Sequence, residues 1–123
     1  MHRITIEIWG RVFELEVIYD CCDGEEVLPE QKAALNKFLL QDELINTVKD
    51  DVKAYCVSHC NGKIDTVDNI FKYVIPTSLY ILRDINKRCV AVFCNFLFDP
   101  EHGMAIAFEN EVLKEIGMQD IVL

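Results

Sequence analysis

The sequence predicts an α+β domain in which an antiparallel sheet, made of an N-terminal hairpin and a C-terminal meander, is packed by two main helices. Three observations carry this prediction. Apolar residues alternate with polar ones near both ends of the chain, the segment from Pro29 to Asn61 has helical spacing, and the order strands, helices, strands puts the helices on one face of the sheet. With 123 residues, 51% of them hydrophobic, the chain reads as a single α+β domain, 1–123, with enough apolar material to exclude wholesale disorder.

Ile4, Ile6 and Ile8 alternate with Thr5 and Glu7, and Phe13, Leu15 and Val17 alternate with Glu14 and Glu16. A two-residue turn at Gly10-Arg11 pairs Ile8 with Phe13, Ile6 with Leu15 and Ile4 with Val17, six apolar residues on one face. The same register sets Glu7 opposite Glu14. After a polar loop from Asp20 to Glu26, Pro29 suits a helix start, and Ala34, Leu35, Phe38 and Leu39 form its apolar stripe. A break near Gln41 leads to a second helix capped by Asp42, with a stripe of Ile45, Val48, Val52, Tyr55, Cys56 and His59, stopped by Asn61-Gly62. A short helix is expected between Ile64 and Val74, ended by Pro76. Strands follow at Leu79 to Arg83, Arg88 to Phe98 and Met104 to Glu109, and the tail from Val112 to Leu123 completes a meander of three or four strands.

The 12 Lys+Arg against 21 Asp+Glu give a net charge of -9. Such a chain would repel nucleic-acid phosphates and acidic membrane surfaces, so neither is expected as a partner. The longest apolar run, Cys89 to Phe98, is about half the ~20 residues a membrane span needs. The charged, alternating N-terminus reads as a strand and not as a signal peptide. Of the six cysteines, Cys21 and Cys22 are adjacent, Cys56 and Cys60 are helix-spaced, and Cys89 and Cys94 point to opposite faces of one strand. That distribution suits reduced thiols in a cytoplasmic protein better than a disulfide framework.

Asp99-Pro100-Glu101-His102-Gly103 is the most pointed feature, two carboxylates and an imidazole between apolar strands. Its first reading is a tight turn: Asp99 accepts backbone N–H groups, Pro100 fixes φ and Gly103 supplies φ > 0. Its second is the centre of a polar binding surface, and its third a metal or acid–base site. Cys56 and Cys60 share a helix face with His59 close to it, but without paired Cys-x-x-Cys knuckles they read first as buried structural residues and second as a metal or redox site. A Cys94–His102 nucleophile pair lacks any feature that would activate the thiol. No Gly-rich phosphate loop occurs, and no cofactor is assigned. Glu7, Glu14 and Glu16, continued by Asp20, Asp23, Glu25 and Glu26, form an acidic face that reads as solvated surface or as a patch that steers a basic partner.

The segment Phe98-Asp99-Pro100-Glu101-His102-Gly103-Met104 through Asn110, with Ile116-Gly117 and Gln119-Asp120-Ile121, resembles small bacterial domains of unknown function that share an Asp-x-Glu-His-Gly turn between two strands. The resemblance covers about a third of the chain and implies a compact bacterial cytosolic fold. Some similar small acidic proteins serve as immunity proteins of toxin systems, an analogy of class and not of residues.

The function expected from this sequence is non-enzymatic: a protein-binding module, in its sharpest form an immunity-type inhibitor that occludes a basic toxin. The expected contact residues are Asp99, Glu101 and His102, with Glu14 and Glu16 next. The alternatives are a small metal-dependent or hydrolytic enzyme using the Asp99–His102 turn, and a subunit that self-associates through a sheet edge.

Overall fold

Ile4, Ile6, Ile8, Phe13, Leu15 and Val17 all turn one face to the core in the computed structural model, which describes residues 2–21, 24–41 and 43–122. They lie on β1 (Arg3–Ile8) and β2 (Arg11–Tyr19). The turn that joins these strands is Trp9-Gly10, not Gly10-Arg11, so Ile8 pairs with Arg11, Ile6 with Phe13 and Ile4 with Leu15. This shift of two residues leaves the buried face unchanged, because the side-chain period of a strand is two. It also sets Glu7 opposite Val12 and not Glu14, which removes the like-charge pair of the expected register. Both turn residues have positive φ, 53° at Trp9 and 84° at Gly10. Left-handed backbone is unfavourable for so bulky a residue, and tertiary bonds hold it there. The Trp9 backbone N–H donates to Asn46 Oδ1 at 2.7 Å, and its indole N–H donates to the Ile45 carbonyl at 2.9 Å.

The connection from β2 to the next strand carries α1 (Pro29–Leu40), α2 (Leu44–Thr47) and α3 (Lys49–Ser58). Pro29 begins α1 as expected, and Gln31 behind it is a buried polar anchor. Its Oε1 accepts from the Leu28 N–H at 2.9 Å, and its Nε2 donates to the carbonyls of Asp20 and Ile81 at 3.1 and 3.2 Å. The expected second helix is divided at Val48, where φ -102° and ψ 8° leave helical geometry. The Thr47 hydroxyl bonds back to the Leu44 carbonyl at 2.7 Å, a local competitor of the helical ladder. The proposed cap, Asp42, lies outside the described residues. Helix α3 ends at Ser58, before Asn61-Gly62, whose positive φ values instead make the following turn.

The expected Ile64–Val74 helix shrinks to a 3-10 turn at Ile70–Lys72. Pro76 ends nothing: it sits inside β3 (Val74–Ile81). There it pairs only with Cys94 of β4 (Cys89–Phe96), since β2 joins β3 from Ser78 onward. Its missing N–H therefore falls on a locally free edge, beside a bulge between Pro76 and Ser78. β5 (Met104–Glu109) and β6 (Val112–Gly117) complete the meander.

Among the described residues the sheet has six strands in the order β1-β2-β3-β4-β5-β6, antiparallel throughout except for β2 and β3, which run parallel. A parallel pair requires a long crossover, and the three helices are that crossover. They pack Leu35, Phe38, Ile45, Val52 and Cys56 onto Leu15, Val17, Leu79, Val92, Phe96, Met104 and Ile106. On the reverse face Ala91, Phe93 and Ala105 make a smaller cluster with Tyr80, and Ile121 and Val122 of a C-terminal 3-10 turn (Gln119–Val122) cover it. The chain is thus an α+β domain with its helices on one face of an open sheet. Among the described residues no helix is long and apolar enough to cross a membrane.

Candidate functional site

The Asp99–Gly103 turn joins β4 to β5, and Asp99 and Gly103 set its geometry. Asp99 Oδ1 accepts the His102 backbone N–H at 3.2 Å, and the Gly103 N–H donates to the Asp99 carbonyl at 2.9 Å. Gly103 has φ 64° and is packed so closely that an added Cβ would stand 2.5 Å from Gln119 Nε2 and 2.9 Å from the Cys94 carbonyl oxygen. The C-terminal turn clamps this segment: the Gln119 backbone N–H donates to the His102 carbonyl at 3.2 Å, and its Nε2 donates to the Cys94 carbonyl at 3.3 Å.

His102 Nδ1 lies 3.0 Å from Asp99 Oδ1 and 3.2 Å from Oδ2. The hydrogen bond to Asp99, then its charge, raises the imidazole above the ordinary histidine range, with smaller contributions from Glu101 and Asp120. The same bond holds Asp99 below the usual carboxylate range. The pair is therefore an ionised carboxylate beside a readily protonated imidazole.

Asp99 also forms part of the wall of a cleft of about 410 Å³ beside the β4–β5 turn, between the end of α3 and the C-terminal turn, lined by Tyr55, His59, Phe96, Phe98, Ile116, Gly117, Met118 and Ile121. Tyr55 and His59, one turn apart at the end of α3, stack with ring centroids 3.9 Å apart and planes 19° from parallel. His59 Nδ1 lies 3.0 Å from the Tyr55 carbonyl, which as an acceptor fixes that nitrogen as the N–H donor. Phe96 meets Tyr55 at 5.6 Å and Phe98 edge-on at 5.7 Å, and Tyr73 stacks on Phe98 from behind. Burial raises the Tyr55 hydroxyl's pKa, and the nearby Asp99 charge adds to that effect. The result is a concave aromatic surface with one anionic group at its rim.

Of the residues expected to form a contact surface, Asp99, Glu101 and His102 come together in this turn. Glu14 and Glu16 do not join them. They lie on β2, separated from the turn by β3 and β4 and facing away from the helices, where Glu14 is bridged to Arg3 at 3.2 Å. The wider acidic face is likewise partly neutralised, with Glu25 at 3.3 Å from Arg83; Asp23 lies outside the described residues.

His59 departs from its expected place: it is exposed beyond the end of α3, while Cys56 and Cys60 are buried. Cys60 Sγ turns to the carbonyls of Val57 and Ile64 at 3.0 and 3.4 Å. Burial pushes the Cys56 thiol up to about 11 and raises that of Cys94 further. Cys94 is wholly buried in the helix-facing core, so its side chain is a packing group and no nucleophile for His102. The described cysteines, Cys21, Cys56, Cys60, Cys89 and Cys94, are free thiols, and no group of three or more His, Cys, Asp or Glu among the described residues is placed to hold a metal ion.

Tyr55, Phe96, Phe98, Ile116 and Met118 were not identifiable as site residues from the sequence. The available signals were the Tyr55/His59 spacing of four and the Phe96/Phe98 spacing of two, and both read equally well as core.

An open α+β sheet with an aromatic cleft at the β4–β5 turn defines the class of this molecule. The chain belongs to the family described as domain of unknown function DUF6985, whose model matches residues 2–123. No curated protein and no solved structure matches the chain significantly.

Proposed function

We propose that the chain is a protein-binding module that accepts a basic side chain of its partner in the cleft beside Asp99. The single observation behind this reading is the union of an ionised carboxylate with stacked aromatic walls. An Arg or Lys stem can lie against Tyr55, His59 and Phe98 while its cation meets the carboxylate. A net charge of -9 favours approach of a basic protein at long range. Occlusion of a basic toxin would be one form of this activity. The free thiols among the described cysteines suit a reducing, cytoplasmic setting.

The test is a titration of the isotopically labelled chain with the peptide acetyl-Gly-Arg-Gly-amide, followed by amide and aromatic NMR shifts. Shifts confined to Tyr55, His59, Phe98, Asp99 and Met118, and abolished in Asp99→Asn, would support the reading. Shifts spread over Glu7, Glu14 and Glu16 would transfer the contact to the reverse acidic face and sink it.

A further inference from the structure

β1 is an edge strand, and its free side has a self-complementary pattern. The Val17 N–H donates to the His2 carbonyl at 2.8 Å, so by alternation Ile4, Ile6 and Ile8 exchange the ladder bonds with β2. Thr5 and Glu7 consequently direct their backbone N–H and C=O groups away from the sheet. Alongside them runs a groove of about 530 Å³ lined by Ile4, Thr5, Ile6, Glu7, Leu39, Glu43 and Asn46. The strand is six residues long, without proline, glycine or bulge. The opposite edge, β6, is broken by a register shift beside Ala107 and Phe108 and ends on Gly117.

We infer that β1 is a dimerisation strand, pairing antiparallel with β1 of a second copy about a two-fold axis at Thr5. In that register the two Thr5 residues exchange both backbone hydrogen bonds. Arg3 of each copy stands opposite Glu7 of the other on the exposed face, and Ile4 stands opposite Ile6 of the other on the helix-bearing face. Every cross-strand pair then matches like with like in polarity, and the charged one, Arg3 with Glu7, is opposite in sign. The charges that would deter pairing with an arbitrary strand become the element that specifies this one. The opposite sign of Arg3 and Glu7, two residues either side of Thr5, selects a second copy over a purely basic strand, which would set cation against Arg3. The two clefts beside Asp99 lie toward the other end of each sheet and stay open.

Sedimentation equilibrium of the full chain in 0.15 M salt tests this, because the Debye length of about 8 Å mutes net repulsion but spares adjacent pairs. The expected result is a reversible dimer of the 14.2 kDa chain. Glu7→Arg should weaken it by about tenfold or more through two like-charge pairs. Thr5→Pro removes the central outward N–H without touching the β1–β2 ladder, and should also give monomer. Circular dichroism separates a loss of pairing from a loss of fold in each variant. A wild-type chain that stays monomeric to millimolar concentration would overturn the inference. So would a dimer unaffected by both Glu7→Arg and Thr5→Pro.

Discussion

Asp99 and His102 face one another across a single turn, Oδ1 to Nδ1 at 3.0 Å, with side-chain exposures of 31% and 49%. The carboxylate thus serves two tasks, closing the turn through the His102 backbone N–H and presenting charge to the cleft. Because both groups are well solvated, the interaction shapes ionisation more than it stabilises the fold.

The pair should show in a pH titration. His102 is raised above its ordinary 6.5, so its contribution to stability is complete below that value and is lost as pH rises through the elevated one. Asp99 is lowered from its ordinary 3.8, so its contribution is present above that value and lost as pH falls through the depressed one. The turn is firmest between the two ordinary values. NMR titration of the His102 ring should give a midpoint above 6.5, and Asp99→Asn should bring it down. With Asp99 gone, partial burial, which lowers the ring, opposes the smaller raising effects of Glu101 and Asp120. A midpoint unchanged by Asp99→Asn would mean that the two side chains do not pair in solution.

Gly103→Ala should destabilise the chain by about 1–3 kcal/mol, from a positive φ and from crowding. The Cβ would meet the movable Gln119 amide at 2.5 Å and the fixed Cys94 carbonyl at 2.9 Å. Adding Gln119→Ala should therefore recover only part of the loss in urea denaturation. Full recovery would assign the whole effect to the side-chain clash and none to the backbone.

Gln31→Ala should cost about 1–3 kcal/mol in the same measurement, by leaving the Leu28 N–H and the Asp20 carbonyl without the amide and the Ile81 carbonyl with only the Asp20 N–H. Gln31→Glu is the sharper variant, since a carboxylate keeps the Leu28 bond but faces the carbonyls of Asp20 and Ile81 with no donor. It should be at least as damaging at neutral pH and should recover in acid, when the carboxyl is protonated. If Gln31→Glu left the chain as stable as wild type, the donated bonds would contribute little.

The general fold was legible in the sequence because periodicity survives small errors of detail. The hairpin turn moved by one residue and its register by two, yet the same isoleucines and Leu15 stayed inside, since only an odd slip would invert the faces. Pro76 misled because it read as the stop of a helix, whereas a strand tolerates proline where its N–H is not needed, and strand neighbours are a tertiary property. The parallel β2–β3 pair was implied by the long helical connection, but an antiparallel join had the same local pattern. At the site, the turn was readable from Asp99, Pro100 and Gly103, each of which has a local backbone role. The cleft was not: Tyr55, Phe98 and Met118 come from three separate segments, and nothing in their own neighbourhoods separates a cleft wall from a core.

Thiol reactivity should divide the described cysteines by burial. Cys56 and Cys94 are wholly buried, and burial holds both thiols well above neutrality, so each has almost no thiolate and no access to reagent. Cys21 and Cys89 are half-buried. Pulsed alkylation with iodoacetamide under native conditions, read by peptide mass spectrometry, should label Cys21 and Cys89 within the time that Cys56 and Cys94 stay unmodified. Denaturant should bring the last two up together at the unfolding midpoint, because both belong to one core cluster. Cys56→Ser should lower that midpoint, at a cost of about 1–3 kcal/mol for a buried hydroxyl without a good partner. Early labelling of Cys56 alone would mean that α3 opens separately from the sheet, and that the wall of the cleft carrying Tyr55 and His59 moves on the timescale of the pulse.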